Sequence, residues 1–262
     1  MAYMSASERA LYFFGRRLAR CVYRVTAFGT DNLPEGGCLL LPNHITWVDA
    51  IVLQLACPRP IRYIIDEEFY RKPILHPFLR LLRCIPIDTR HSHSAIRAAT
   101  EKIAEGEIVC LFPEGQLERA GTLLRLRRGY ELIARHAKAP IVPVWLDQLW
   151  GSIFSFQGGR FFTKLPKRIP YPVTIAFGKP LKAEAADIAT VREELLKLGE
   201  FCFSKRPSLN RHLAEPCVRG LKKRPFATAV VDGLDHSALS RSKLLGAAAA
   251  LSRYFRKEFP DE

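Results

Sequence analysis

A chain of 262 residues is long enough to bury one sizeable hydrophobic core, and 48% hydrophobic with 25% charged residues is the mix of a globular domain. Disorder, collagen-like repeats and coiled coil are thereby excluded. Lys and Arg number 40 against 26 Asp and Glu, so the net charge is +14, a surplus that points to a polyanionic partner: nucleic acid or an anionic membrane surface. No stretch approaches the roughly 20 uninterrupted apolar residues of a membrane span. Arg9, Arg16, Arg17 and Arg20 break up the N-terminal apolar residues, which rules out a signal-peptide pattern.

In chain order, residues 6 to about 27 read as a helix. Leu11, Phe14, Leu18, Cys21, Val22 and Val25 recur at helical spacing, and Arg9, Arg16, Arg17, Arg20 and Arg24 fill most of the rest. Such a helix either lies in a bilayer interface or packs on the domain with a solvated basic face. Cys38–Leu41 is a short apolar run, expected as a buried strand. A helix follows over Thr46–Ala56, then a strand over Pro60–Ile65. Residues 67–83 have a helical pattern broken by Pro73 and Pro77. Ile85–Ile87 reads as strand, Ser94–Glu105 as helix and Ile108–Phe112 as strand. Leu126, Tyr130, Ile133 and Ala137 mark a helix of period 3.6. Strands over Ile141–Leu146 and Val173–Phe177 and a helix over Ala185–Phe203 complete the series. Strand and helix alternate at βα spacing, which predicts an α/β core with a mostly parallel central sheet flanked by helices. Sites in such folds lie where strands end and helices begin.

The seven cysteines are scattered, odd in number and never spaced C-x-x-C. Cys38, Cys57, Cys84 and Cys110 sit in or beside apolar runs, which suits buried free thiols in a reducing compartment. His91 and His93 form an H-x-H pair with no Cys or carboxylate at ligand spacing, so no metal is expected.

Two strand ends carry unusual residues. After Cys38–Leu41 comes Asn43-His44-Ile45-Thr46-Trp47-Val48-Asp49. Thr46 and Asp49 have capping-box spacing, which starts a helix near Trp47 and places His44 in the strand-to-helix turn. A carboxylate that holds one imidazole nitrogen fixes the tautomer and leaves the other free to take a proton from a hydroxyl. His44 and Asp49 are thus either a general-base dyad or a turn histidine beside a helix cap. Phe112-Pro113-Glu114-Gly115 ends a second buried strand. Pro113 stops the ladder, and Gly115 allows a tight turn or close backbone approach. Glu114 between them is placed to bind a substrate hydroxyl, or merely ends the strand.

Together, N-H-x-x-x-x-D followed by F-P-E-G resembles the glycerolipid acyltransferase family, of the lysophosphatidic acid acyltransferase type. Ile85–Arg90 resembles the family's second block and Ala139–Val144 its fourth; the resemblance covers about residues 10–205. It implies that His44 deprotonates an acceptor hydroxyl, which attacks an acyl thioester directly, with no covalent enzyme intermediate. It further implies that Asp49 orients His44 and that Asn43, Glu114 and Gly115 line the acceptor site. A basic residue of the second block would contact the acceptor phosphate. Thr89 stands where the family's Arg usually ends that block, and Arg90 comes one position later. Gln116 stands where the family often has Arg, with Arg119 as the nearby substitute.

The implied acceptor is a lysophospholipid such as 1-acyl-glycerol-3-phosphate or 2-acyl-glycerophosphoethanolamine. The implied donor is acyl-CoA or an acyl carrier protein, with no further cofactor. Between Gln148 and Lys182 six basic residues interleave with aromatics and no acidic residue occurs. This composition suits the anionic cytoplasmic face of a membrane, with peripheral attachment. The competing reading is a non-catalytic binder of anionic membrane or nucleic acid on the same fold. The expected divisions are an amphipathic helix over 1–28, the acyltransferase domain over 29–205, and a linker with a C-terminal piece over 206–262. That last piece resembles the opening of an adenylate-forming acyl ligase domain, without its Ser/Thr/Gly-rich nucleotide loop.

Overall fold

The computed structural model describes residues 6–88, 93–119, 122–152, 154–156, 159, 169–206 and 213–259. Chain contacts divide it into two units, residues 1–204 and 205–262.

The first unit is built on a seven-stranded sheet. Its strands are β1 (Tyr23–Phe28), β2 (Cys38–Pro42), β3 (Ile61–Asp66), β4 (Ile85–Ile87), β5 (Ile108–Cys110), β6 (Ile141–Asp147) and β7 (Tyr171–Phe177). They lie in the order β1-β7-β6-β2-β5-β3-β4. Neighbours run parallel except β6 and β7. The helices are α1 (Ala6–Val22), α2 (Asp49–Ala56), α3 (Glu67–Tyr70), α4 (His76–Leu81), α5 (His93–Ala104), α6 (Gly129–Ala137) and α7 (Ile188–Ser204).

The apolar run of β2 is buried on both faces, as a central parallel strand requires. Cys38 and Leu40 face one layer with Val52 and Leu53 of α2. Leu39 and Leu41 face the opposite layer, with Ala99 and Ile103 of α5, Tyr130 and Ile133 of α6, and Val191 and Leu195 of α7. The chain leaving β2 therefore turns to one side of the sheet, and the chain leaving β5 reaches α6 on the other. Two adjacent strand ends stay open between them.

Several element limits differ from the sequence expectation, four of them for a visible reason. The N-terminal helix stops at Val22 rather than near residue 27, because Tyr23–Phe28 pairs in parallel with β7 as an outer strand of the sheet. Helix α2 begins at Asp49, two residues past Trp47, because the N–H groups of Ile45 and Thr46 are held by the Asp49 side chain. Strand β5 ends at Cys110. The Leu111 N–H still bonds Leu40 O at 3.1 Å, but Pro113 has no N–H to continue the ladder. Helix α6 begins at Gly129 although Leu126 is buried, because the N–H groups of Leu124 and Arg127 bond residues 113–114 instead of a helical turn. The broken pattern of 67–83 resolves into α3 and α4, with Pro73 between them and Pro77 in the first turn of α4.

The second unit contains α8 (Ala214–Lys222), the antiparallel pair β8 (Thr228–Val231) and β9 (Ala238–Ser240), and α9 (Arg241–Glu258). Neither of its helices has a buried residue. Helix α8 and strand β9 fall where the sequence suggested linker and turn.

Candidate active site

The register of β2 against β5 builds the site. Leu40 lies opposite Cys110, and continuing both chains at the same offset sets His44 opposite Glu114. The backbone N–H of His44 donates to Glu114 Oε1 at 2.7 Å. The second oxygen, Oε2, accepts the backbone N–H of Leu124 at 2.8 Å. Returning along the loop, Glu118 N–H donates to the carbonyl of His44 at 2.9 Å. The turn that carries His44 is thus tied on both its N–H and C=O sides to the chain leaving β5. Glu114 is 2% exposed. Burial pushes its carboxyl above the ordinary carboxylate range, and the N–H groups of Leu124 and His44 pull in the opposite sense.

The Asp49 carboxylate is fully buried at the first residue of α2. Its Oδ2 lies 2.9 Å from His44 Nδ1 and accepts the N–H groups of Ile45 at 2.6 Å and Thr46 at 2.9 Å. Its Oδ1 accepts the Thr46 hydroxyl at 2.5 Å. A carboxylate held by that many donors cannot swing. It can only receive a proton-bearing Nδ1, so the neutral imidazole carries its lone pair on Nε2. The Phe112 ring stacks on the imidazole, with centroids 4.0 Å apart and planes 25° from parallel. Two sides of His44 are therefore fixed, by a carboxylate and by a ring. Its side chain keeps 21% exposure, and Nε2 has no hydrogen-bond partner among the described residues. Chemically this is an imidazole prepared to accept one proton at Nε2 from a group arriving at the open strand ends.

The other expected residues are placed differently. Asn43 is buried, and its amide lengthens the ladder between β2 and β6: Nδ2 donates to Leu146 O at 3.1 Å and Oδ1 accepts Leu146 N–H at 2.7 Å. Gly115 has φ +67°, and an added Cβ would stand 2.6 Å from Arg127 Nε. Arg119 is exposed, with its guanidinium carbon 5.2 Å above the Phe156 ring. Arg90 lies outside the described residues, as do Arg160, Lys164, Lys167 and Arg168 of the basic aromatic stretch. Three features carried no expectation from sequence: the Thr46 hydroxyl on Asp49, the Phe112 ring on His44, and Arg127 over Gly115. Phe112 was signalled only by its place at the strand end, as the first residue of F-P-E-G.

A family model described as Acyltransferase matches residues 24–147, a span that contains His44, Asp49, Glu114 and Gly115. A 1-acyl-sn-glycerol-3-phosphate acyltransferase of Bacillus subtilis is 33% identical over 122 residues, covering 45% of this chain and 60% of that protein. Over that span the chain is similar to the glycerolipid acyltransferases. A protein of the same name from Pseudomonas aeruginosa is 22% identical over 170 residues, 63% of this chain and 62% of its own length. The matched stretch thus spans under two thirds of these curated relatives. The crystal structure of the 1-acyl-sn-glycerophosphate acyltransferase PlsC from Thermotoga maritima superposes with a TM-score of 0.57 at 20% identity. It covers 76% of this chain and 80% of that one, and shows that the mostly parallel sheet flanked by helices is the acyltransferase fold.

Proposed function

We propose that this chain moves a fatty acyl group from an acyl thioester, acyl-CoA or acyl carrier protein, to the free hydroxyl of a lysophospholipid. The relatives' names favour 1-acyl-glycerol-3-phosphate as acceptor; 2-acyl-glycerophosphoethanolamine is the other candidate. The observation that carries this reading is the 2.9 Å contact of His44 Nδ1 with the buried Asp49, in a chain similar to this family.

The acceptor hydroxyl gives its proton to His44 Nε2 as its oxygen bonds to the thioester carbonyl carbon. The C–S bond then breaks, and the departing thiolate takes the proton back from the imidazolium. Asp49 holds the tautomer and offsets the positive charge on the ring. Glu114 acts through the backbone of His44, since both its oxygens accept N–H groups. No covalent acyl-enzyme is formed, and no metal or cofactor enters the reaction.

The lysophospholipid acceptor resides in a membrane, and the apolar surface beside the site suits a peripheral position at its cytoplasmic face. Phe13, Phe14, Leu18 and Val22 of α1 are exposed, as are Trp47 and Ile51 at the start of α2. No helix among the described residues is long and apolar enough to cross a bilayer. Aromatic and aliphatic side chains above a strongly cationic protein are the ingredients of interfacial binding.

The test is a matrix of lysophospholipid acceptors against acyl-CoA and acyl carrier protein donors on anionic liposomes. Thioester consumption that requires a lysophospholipid is the expected result. Salt-sensitive DNA binding with no thioester consumption would replace the proposal with the non-catalytic reading.

A further inference from the structure

The acceptor phosphate needs a cation. Of the positions first expected to supply it, Arg90 lies outside the described residues, Gln116 carries no charge, and Arg119 is turned over Phe156. A different arginine side chain lies against Gly115. At Gly115 an ideal Cβ would lie 2.6 Å from Nε, 2.8 Å from Cδ and 2.9 Å from Cζ of Arg127, so the Arg127 side chain fills the space a larger residue would take. We propose that Arg127 binds the phosphate monoester of the acceptor lipid. This inference rests on the acyltransferase reading above.

Three anchors place that side chain. Arg127 N–H donates to Pro113 O at 2.8 Å, and Leu124 N–H donates to Glu114 Oε2 at 2.8 Å. From behind, Arg192 of α7 donates to the carbonyls of Leu124 at 2.9 Å and Leu123 at 3.3 Å. The segment is therefore clamped to the chain that holds His44, and the guanidinium is carried to the same strand ends. Arg127 is exposed, and among the described residues its guanidinium has no hydrogen-bond or ion-pair partner. A planar fork of donors, held in place and unspent on protein groups, matches phosphate oxygens in pairs. Because the backbone is already fixed, little ordering cost remains to be met on binding. Arg192 is a positioning residue in this scheme: it holds the segment and touches no substrate.

The experiment is steady-state kinetics of wild type, R127Q and R127K on mixed micelles, varying lysophosphatidate at saturating acyl-CoA and then the reverse. R127Q is expected to raise the KM for lysophosphatidate roughly tenfold or more, the loss of one charge-assisted contact, with kcat little changed. R127K should recover part of that loss, and the KM for acyl-CoA should not move. Loss of the difference on monoacylglycerol, which has no phosphate, is part of the expectation. An unchanged acceptor KM overturns the proposal, and so does a rise confined to acyl-CoA, which would place the donor's phosphates there instead. If wild type fails to acylate any acceptor, the acyltransferase reading fails separately. Calorimetric binding of sn-glycerol 3-phosphate at low salt then decides the anion site alone: weaker binding by R127Q supports it, and equal binding by the two proteins overturns it.

Discussion

Glu114 Oε1 accepts the backbone N–H of His44 at 2.7 Å, between the chains leaving the adjacent parallel strands β2 and β5. The carboxylate joins the two segments of the site. E114Q puts an NH2 group against one of two N–H donors and breaks that tie. The expected loss is about 1–3 kcal/mol of stability, read by urea denaturation, together with reduced turnover.

The same carboxyl predicts a pH dependence. Its native pKa is raised from the ordinary 4.5, mainly by burial. Between the ordinary and raised values the native state binds more protons than the unfolded state, so the contribution of Glu114 to stability falls as pH rises through that window. The stability gap between wild type and E114Q should therefore narrow on going from pH 4 to neutrality. A gap that widens would show that the two N–H bonds outweigh burial.

Asn43 also ties two strands together, bonding both the N–H and the C=O of Leu146. N43A leaves the buried N–H and C=O of Leu146 without the amide that pairs them. A destabilisation of about 2 kcal/mol or more is expected in chemical denaturation. A value near zero would mean that water enters the end of the β2–β6 ladder.

Thiol labelling checks the core directly. Cys38, Cys57, Cys84, Cys110 and Cys202 are buried, while Cys21 and Cys217 are exposed. Burial pushes the thiol of Cys38 up to about 12 and that of Cys84 to about 11, so little thiolate forms at neutral pH. Native protein should react with a maleimide at two cysteines and denatured protein at seven.

Most of the framework was legible because it depends on short patterns. An apolar run of four residues marks β2 as buried on both faces, and His44 and Asp49 fall within one strand-to-helix turn, so their spacing alone brings them together. What depends on pairing between distant segments was not legible. The role of Glu114 follows from the β2–β5 register. Arg127 reaches Gly115 only because residues 123–127 give up helical hydrogen bonds to bind the chain leaving β5. Helix α1 read too long because Cys21, Val22 and Val25 keep helical spacing across the point where β7 captures the chain as a strand.

The surface of α1 has its own test. Phe14 is 68% exposed and Leu18 71% exposed, both on the apolar stripe read from the sequence. F14E/L18E should lower partition into anionic vesicles roughly tenfold or more in a sedimentation assay. Equal partition would move the membrane contact elsewhere.

The central claim is that His44 takes the acceptor's proton while Asp49 holds it. It is tested most directly by turnover of H44A, D49N and the double variant with lysophosphatidate and acyl-CoA, alongside circular dichroism. H44A should lose at least about a hundredfold in kcat with its fold intact, D49N should also fall, and the double variant should be little worse than H44A. Full turnover by folded H44A would contradict it.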